Sequence, residues 1–144
     1  MTAIELYNDE FFSLANKQKL QPREQNGFLD FTQCLTPDTI NSENIDQKMR
    51  LYISNRTQNE TKLNIKSSRS HAIFKIQTGD IIIGVVDLAG SERTNRVLAS
   101  FDETSNINKS LLCLGRCIKA LNEQPEGQST NIPYRESKLT KMLI

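Results

Sequence analysis

Apolar residues along this chain follow two different periods. Between His71 and Gln77 they alternate, with Ala72, Phe74 and Ile76 on one side and Ile73 and Lys75 on the other. Alternation of this kind predicts a β-strand. The turn residues Thr78-Gly79-Asp80 then lead into the apolar run Ile81 to Val86, so the two segments predict an antiparallel hairpin. Thr2 to Asn8 predicts a further strand.

The run Ile81 to Val86 shows no polar alternation. That pattern is typical of a strand buried on both faces, and parallel pairing is the preference for such strands. If a neighbour is missing on one side, the run leaves an exposed apolar edge.

Two segments show the helical period. Ser42 to Thr57 predicts an amphipathic helix with Ile45, Met49, Tyr52 and Ile53 on one face. A second apolar stripe predicts a longer helix that is favoured at its start by the acids and hydroxyls of residues 102 to 105. The stripe consists of Ile107, Leu111, Leu114, Ile118 and Leu121. Strands and helices together indicate an α/β fold.

Charge and cysteine content exclude several classes of protein. The net charge of +1 argues against a strongly electrostatic nucleic-acid binder, and no apolar run is long enough to span a bilayer. Cys34, Cys113 and Cys117 form no C-x-x-C, so neither a disulfide framework nor a zinc site is indicated. The chain is therefore expected in the cytoplasm. Residues 105 to 144 carry six basic against three acidic residues, which suits an acidic partner as well as an ordinary solvated helix face.

The end of the apolar run carries candidate chemistry. Asp87 follows the run directly, at the sheet edge where α/β proteins place ligands, and its carboxylate can hold Mg²⁺ through water. Gly90 lacks a Cβ, so its amide can approach a terminal phosphate closely. Taken alone, the pattern more often belongs to a buried strand whose final Asp caps the next turn.

A second polar segment lies upstream. Ser67, Ser68 and Ser70 surround Arg69, which offers hydroxyl ligands for Mg²⁺, hydrogen bonds to phosphate oxygens and a cation that can pair with an acid. The alternative for such a run is a solvated loop.

Five blocks together resemble the motor domain of kinesins. They follow in the order found in that family, and the resemblance extends over nearly the whole chain. The blocks are Asn55-Arg56 with Thr61 and Asn64, Ser67 to His71, Asp87 to Glu92, Asn106 to Leu111, and Pro133 to Thr140. The implied fold is a partial kinesin-type P-loop NTPase motor, with a mixed sheet that lacks the P-loop strand and the last strand.

The resemblance also implies roles for single residues. In a complete motor, Ser68 and Asp87 hold Mg²⁺, directly and through water, and Asn64 lines the ATP pocket. Ser67 positions the attacking water, and the amide of Gly90 senses the γ-phosphate. Arg69 and Glu92 form the salt bridge between the two switches. His71 is expected to hold the switch loop.

The predicted partner is the microtubule, with no nucleic acid and no membrane. The long helix of such motors lies on tubulin, so its outward cations and those that follow are the expected contacts. This set is Lys109, Arg116, Lys119, Arg135, Lys138 and Lys141.

A Gly-rich phosphate loop is missing from the sequence. None of the six glycines begins a G-x-x-x-x-G-K-[ST] pattern, and that loop supplies most of the phosphate contacts in such NTPases. We therefore expect that the chain alone neither binds ATP tightly nor hydrolyses it, although the family is a microtubule-stimulated ATPase. His71 is the chain's single histidine.

Residues 1–144 are thus interpreted as an incomplete motor domain without its N-terminal half. Its predicted parts are a strand and loop region (1–30), a helix with switch I (42–78), the switch II strand and loop (79–105) and microtubule-facing helices (106–144). One alternative is a shortened microtubule-binding protein without ATPase activity. A GTPase-like module is a distant third, because an N-K-x-D motif is absent. Residues 91–96 and 135–137 resemble the kinesin-6 group, whereas the glycine-free loop 93–105 departs from the family pattern.

Overall fold

The structure is a computed structural model that describes residues 1–57, 69–90, 101–124 and 131–143, without the side chains of 57 and 101–104. Seven strands and three α-helices lie in these ranges. The strands are β1 (Thr2–Tyr7), β2 (Glu10–Ser13), β3 (Lys19–Leu20), β4 (Arg23–Gln25), β5 (Phe28–Asp30), β6 (Ser70–Thr78) and β7 (Ile81–Asp87). The helices are α1 (Ile45–Thr57), α2 (Phe101–Asn122) and α3 (Lys138–Met142), and a short 3-10 helix (Tyr134–Glu136) precedes α3.

Five strands form one sheet in the order β3-β2-β1-β6-β7, and β4 pairs with β5 alone. Every pairing between the described strands is antiparallel. The central pair is β1 and β6, in which Ile4 lies opposite Ile73. The strand predicted over Thr2 to Asn8 is therefore confirmed as β1, at the centre of the sheet.

The predicted hairpin is confirmed, since β6 and β7 pair in antiparallel register from Ala72–Asp87 to Thr78–Ile81. The prediction that the apolar run is buried and parallel is wrong for its described partner. Because a two-residue turn joins β7 to β6, the pairing has to be antiparallel. No further described strand follows β7, and Ile82 is 64% exposed. The expected exposed apolar edge is present.

The two faces of the sheet carry two apolar clusters. On one face Tyr52 of α1 packs with Ala3, Leu14 and Phe74. The other face forms a cluster with α3 and part of α2 that includes Ile4, Leu6, Phe11, Ile73, Leu139 and Met142. The sheet thus lies between α1 and the pair α2 and α3, as strand alternation requires.

Helix α1 begins at Ile45, three residues later than predicted. Tyr52 is completely buried, and its hydroxyl donates to Asp38 Oδ2 at 2.5 Å. Ile53, which we placed on the same face, is 54% exposed. One residue corresponds to about 100° of helical rotation, so Tyr52 and Ile53 cannot both face the sheet.

Helix α2 begins at Phe101, so the acids predicted to precede it already lie within it. Its buried face also differs from the predicted stripe. Ser110, Cys113 and Cys117 are buried, whereas Ile118 and Leu121 are 50% and 45% exposed. Leu114 packs against the apolar cluster that contains Ile4 and Ile73, whereas Leu112, like Ile118 and Leu121, is exposed.

Two tight turns were not predicted. Asn8 and Asp9 join β1 to β2 with φ values of 47° and 61°, and Asn26 and Gly27 join β4 to β5 with φ values of 55° and 85°. Positive φ at both central residues is the mark of the type I′ turn that two-residue hairpins favour. The Asn-Gly pair was the available sequence signal for the second hairpin.

Candidate functional site

The two predicted switch segments meet at one end of the sheet. In the antiparallel pair, β6 begins with Ser70 where β7 ends with Asp87, so the segments before β6 and after β7 lie side by side. Arg69 directly precedes β6 and is buried, and Gly90 is half-buried three residues beyond β7. The fold therefore brings Arg69, Asp87 and Gly90 to the same end of the sheet.

Asp87 is held by a cation from another element. Arg56, near the end of α1, forms an ion pair with its carboxylate through Nη1. The Nη2 group of Arg56 also donates to the backbone oxygen of Ser70 at 2.9 Å. Arg56 thus connects α1 to both strands of the hairpin at the end of the sheet where the nucleotide is predicted to bind.

His71 links three segments at the same place. Its Nδ1 accepts a hydrogen bond from the Ala89 amide at 3.0 Å, and its Nε2 lies 2.8 Å from Ser110 Oγ. Ser110 in turn donates to the Ile107 carbonyl at 2.8 Å. Burial, and then the charge of Arg56, lower the pKa of His71 to about 4, so the ring is neutral near pH 7.

A small cavity of about 20 Å³ lies beside His71. This volume is enough for one water molecule. Arg69, His71, Asn106 and Ser110 are among the residues that line it, which places the residue before β6 against the first turns of α2. Asn106 also donates to Asn8 Oδ1 at 2.8 Å, which fixes α2 to the β1–β2 turn.

Four predicted site residues, Asn64, Ser67, Ser68 and Glu92, lie outside the described residues. Of the two predicted Mg²⁺ ligands only Asp87 is therefore described, and its carboxylate faces Arg56. Within the described ranges no group of three or more His, Cys, Asp or Glu could hold a metal ion. The carboxylate fits one position in a Mg²⁺ shell, and the other ligands have to come from elsewhere, such as a nucleotide's phosphates.

The six predicted microtubule contacts differ in how they are held. Lys119 is 72% exposed and pairs with Glu123, the residue that follows α2, at 3.7 Å. Lys109 is also exposed. The other four make contacts within the fold: Arg116 with Glu136 at 3.0 Å, Arg135 with the Asn26 carbonyl at 2.9 Å, Lys138 with Asp9 at 3.5 Å, and Lys141 with Glu24 at 2.7 Å.

A cleft of about 210 Å³ separates α2 from the segment that contains the 3-10 helix and α3. Four of the predicted cations line it, against two carboxylates, and Asn106, Ser110 and Ser137 complete the wall. The charged residues are Lys109, Arg135, Lys138, Lys141, Asp9 and Glu136. The cationic side chains are thus gathered on one face of the molecule.

Sequence reasoning missed three residues of this site. Arg56 was noted only as part of a block, and Asn106 and Ser110 only as part of a helix start. Ser110 had a detectable signal, because it lies three and seven residues before Cys113 and Cys117 on the buried face. Arg56 and Asn106 had none, since their partners Asp87 and Asn8 are distant in sequence.

Comparison with known families assigns the chain. The model of the family described as "Kinesin motor domain" matches residues 1–144. The chain belongs to the kinesin motor domain family. Among curated kinesins, Kinesin-related protein 3 of Dictyostelium discoideum is 39% identical over 156 residues, which cover 97% of this chain and 13% of that protein. Kinesin-like protein KIN-7I of Oryza sativa subsp. japonica is 35% identical and covers 99% of this chain and 14% of its own length.

Solved kinesin structures share the fold. KIF14 with ADP, in complex with a microtubule, matches with a TM-score of 0.74 and 34% identity over 99% of this chain and 47% of that chain. A fast kinesin, studied for its ATPase mechanism and its interactions with microtubules, matches with a TM-score of 0.73 and 31% identity over 99% and 44%. The predicted α/β kinesin-type fold is confirmed. This chain spans less than half of either solved kinesin. Among the described residues, no helix is both long and apolar enough to cross a membrane.

Proposed function

We propose that this chain is the switch-bearing part of a kinesin motor that couples ATP turnover to movement along microtubules. The observation that carries the proposal is the meeting of the two switch segments beside α2. Arg69, Asp87 and the Ala89–Gly90 backbone lie at one end of the sheet. His71 connects that end to a helix that presents exposed cations. In our proposal the nucleotide and the microtubule lie on opposite sides of these shared contacts.

The nucleotide side follows from the motif residues. In our proposal Asn64, Ser67, Ser68 and Glu92 join Arg69, Asp87 and Gly90 around the triphosphate and its Mg²⁺. Asp87 and Ser68 hold the metal, Gly90 registers the γ-phosphate, and Arg69 pairs with Glu92 when the site closes. When Mg²⁺ is bound, it neutralises charge on the β- and γ-phosphates.

In our proposal, the backbone groups that bind the phosphates have to come from a further strand. The open edge of β7 offers unpaired backbone groups and the exposed side chains of Ile81, Ile82, Ile83 and Val85. A further parallel strand that ends in a phosphate loop fits this edge, and the matched kinesin structures are more than twice as long as this chain. Without that strand, calorimetric titration of the chain with Mg-ATP is expected to give no saturable binding. Stoichiometric uptake would contradict this part of the proposal.

The microtubule side rests on charge. Lys109 and Lys119 project from α2 into solvent, whereas Arg116, Arg135, Lys138 and Lys141 shape the same face through their ion pairs and hydrogen bonds. An acidic lattice such as the microtubule complements this face, and we infer a cytoskeletal location. Every relative reported above is a kinesin, so a shortened microtubule binder without turnover is not favoured.

Co-sedimentation with microtubules tests the proposal. The chain is expected to pellet at low salt, and the double substitution Lys109→Ala with Lys119→Ala is expected to weaken binding by roughly tenfold, since exposed charges act with modest energies each. The matched control is Lys19→Ala with Arg23→Ala, which removes two exposed positive charges elsewhere. If the two pairs weaken binding equally, or if the chain does not pellet, the assignment of α2 is wrong.

Assignment to the kinesin-6 group stays a prediction. It rests on the residues at 91–96 and 135–137, and the first of these segments lies outside the described residues. The two curated relatives described above carry other names. A phylogenetic placement of the 144 residues against complete kinesin motor sequences tests it.

A further inference from the structure

We propose that His71 is a positioning residue that transmits changes between the Ala89–Gly90 backbone and helix α2 through one directed line of hydrogen bonds. The meaning of this link for motor action rests on the proposed function. The link itself is a statement about four groups in this chain. They are the Ala89 amide, the imidazole of His71, the Ser110 hydroxyl and the Ile107 carbonyl.

The hydrogen bonds fix the direction of the line. The Ala89 amide can only donate, so Nδ1 of His71 accepts and carries no proton. A neutral imidazole then holds its proton on Nε2 and donates to Ser110 Oγ at 2.8 Å. The single proton of the Ser110 hydroxyl is used on the Ile107 carbonyl. Each group has one role, and reversing any one of them leaves a buried group without a partner.

Burial makes the arrangement costly to disturb. His71 is 3% exposed, Ala89 is 4% exposed and Ser110 is 7% exposed. The adjacent cavity has room for one water molecule, but bulk solvent does not reach these groups, so each hydrogen bond depends on the other two. The neutral ring is favoured independently, because burial and Arg56 lower the pKa of His71 to about 4.

The two ends of the line lie at the two functional surfaces. Ala89 directly precedes Gly90, the predicted phosphate sensor, and Ser110 directly follows Lys109, the exposed cation of α2. A shift of the Gly90 backbone therefore has a route of three hydrogen bonds to the helix that carries Lys109. A buried imidazole needs a partner at each ring nitrogen, and here the two partners come from two different segments, the backbone beside Gly90 and helix α2.

The single histidine allows a direct measurement of the tautomer. In the ¹⁵N-labelled chain near pH 7, long-range ¹H–¹⁵N correlation spectra are expected to show an unprotonated Nδ1 and a protonated Nε2. A Nδ1–H tautomer, a charged ring or a fast average of the two tautomers overturns the proposal. This measurement uses the unsubstituted chain, so a variant that fails to fold does not affect it.

Hydrogen exchange of the Ala89 amide tests transmission. Ser110→Ala is expected to speed Ala89 exchange roughly tenfold, the effect of about one buried hydrogen bond. The matched control Ser105→Ala removes a hydroxyl from an exposed position on the same helix and is expected to change Ala89 exchange by less than about twofold. Equal effects of the two substitutions, or no effect of Ser110→Ala, contradict the line.

Conservative replacements of His71 separate the acceptor role of Nδ1 from the donor role of Nε2. His71→Asn keeps an acceptor near the Nδ1 position and loses the reach to Ser110, whereas His71→Gln keeps a donor near the Nε2 position and loses that acceptor. We expect Ala89 to exchange more slowly in the Asn variant than in the Gln variant. Adding Ser110→Ala to His71→Asn is expected to have no further effect on Ala89. A further increase of about tenfold would show that Ser110 acts by loosening α2 in general.

None of these measurements requires nucleotide or microtubules. If the chain fails to pellet with microtubules but shows the tautomer and the Ser110 effect, the proposed function fails and the line stands. If the chain pellets but Ala89 does not respond to Ser110→Ala, the line fails and the proposed function stands.

Discussion

Arg56 in α1 and Asp87 at the end of β7 form an ion pair between a nearly buried and a largely exposed side chain. The side chain of Arg56 is 12% exposed and that of Asp87 is 64% exposed. Arg56 also donates to the Ser70 carbonyl. The pair therefore connects α1 to the end of the sheet where the nucleotide is predicted to bind. We expect its two members to contribute unequally to the free energy of unfolding.

This difference in exposure predicts that substitutions of Asp87 and Arg56 lower the free energy of unfolding by different amounts. Asp87→Asn is expected to lower the free energy of unfolding by less than about 1 kcal/mol, as for exposed ion pairs. Arg56→Ala is expected to cost about 2 kcal/mol or more, because it also leaves the Ser70 carbonyl without that donor. Urea unfolding followed by circular dichroism measures both. An Asp87→Asn cost equal to or larger than that of Arg56→Ala would refute the asymmetry.

Tyr52 and Asp38 dock α1 against the segment that follows β5. Tyr52→Phe removes a buried hydroxyl that donates to Asp38 at 2.5 Å, and Asp38 also pairs with Lys48 at 2.5 Å. A hydrogen bond to a charged group predicts a loss of about 2 kcal/mol in the free energy of unfolding. Tyr134→Phe, at a less buried tyrosine, is the control and is expected to cost less than about 1 kcal/mol. Equal costs would argue against a specific Tyr52–Asp38 contact.

The single histidine predicts a pH dependence of stability. The folded pKa of His71 is about 4, below the ordinary value of about 6.5, so between these values the unfolded chain binds a proton that the folded chain does not. Stability is therefore full above pH 6.5 and falls by about 3 kcal/mol as the pH drops to 4.

Urea unfolding at several pH values measures this slope, and His71→Gln is expected to remove it. Asp38 acts in a separate window. Hydrogen bonds from Lys48 and Tyr52 lower its pKa, so its contribution is lost only as the pH falls below about 3.8. A slope between pH 6.5 and 4 that persists in His71→Gln would disprove the role given to His71.

Gly27 makes room for Arg135. A Cβ at Gly27 would lie 2.2 Å from Arg135 Nε, and φ there is +85°. Gly79→Ala is the matched control, because its φ is +57° and nothing lies within 4 Å of the added Cβ. We expect Gly27→Ala to cost about 1 kcal/mol more than Gly79→Ala in urea unfolding, the value of the Arg135–Asn26 hydrogen bond. In an Arg135→Ala background the extra cost is expected to vanish, and its persistence there would be inconsistent with this packing.

Much of the fold could be predicted from local periodicity. The strand at Thr2–Tyr7, the β6–β7 hairpin and the two longer helices, α1 and α2, follow from patterns within each segment. The predictions that were wrong depended on which elements pack against each other. Ile53 and Ile118 satisfy a helical stripe, yet both are about half exposed, because the elements packed on each helix cover only part of its surface. Sequence periodicity gives a helix an apolar side but does not say how far the neighbouring layer extends over it.

The candidate site divides in the same way. Arg69, Asp87 and Gly90 could be singled out as candidates because they lie in short recognisable blocks. Their holders were not found, because Arg56 contacts Asp87 across 31 residues and Ser110 contacts His71 across 39. Contacts of that separation leave no periodic trace in one sequence. His71 was expected to hold the switch loop, and in the structure its two ring nitrogens contact the Ala89 amide and Ser110 of α2.

We propose that helix α2, the expected microtubule contact, and the Ala89–Gly90 backbone, the expected phosphate sensor, are coupled within this chain. The most direct test is Ala89 amide exchange in the chain, free and saturated with microtubules at low salt. Because coupling is reciprocal, binding at α2 is expected to slow Ala89 exchange on the order of fivefold, and Ser110→Ala to abolish that change. Saturated microtubule binding with unchanged Ala89 exchange would contradict the account.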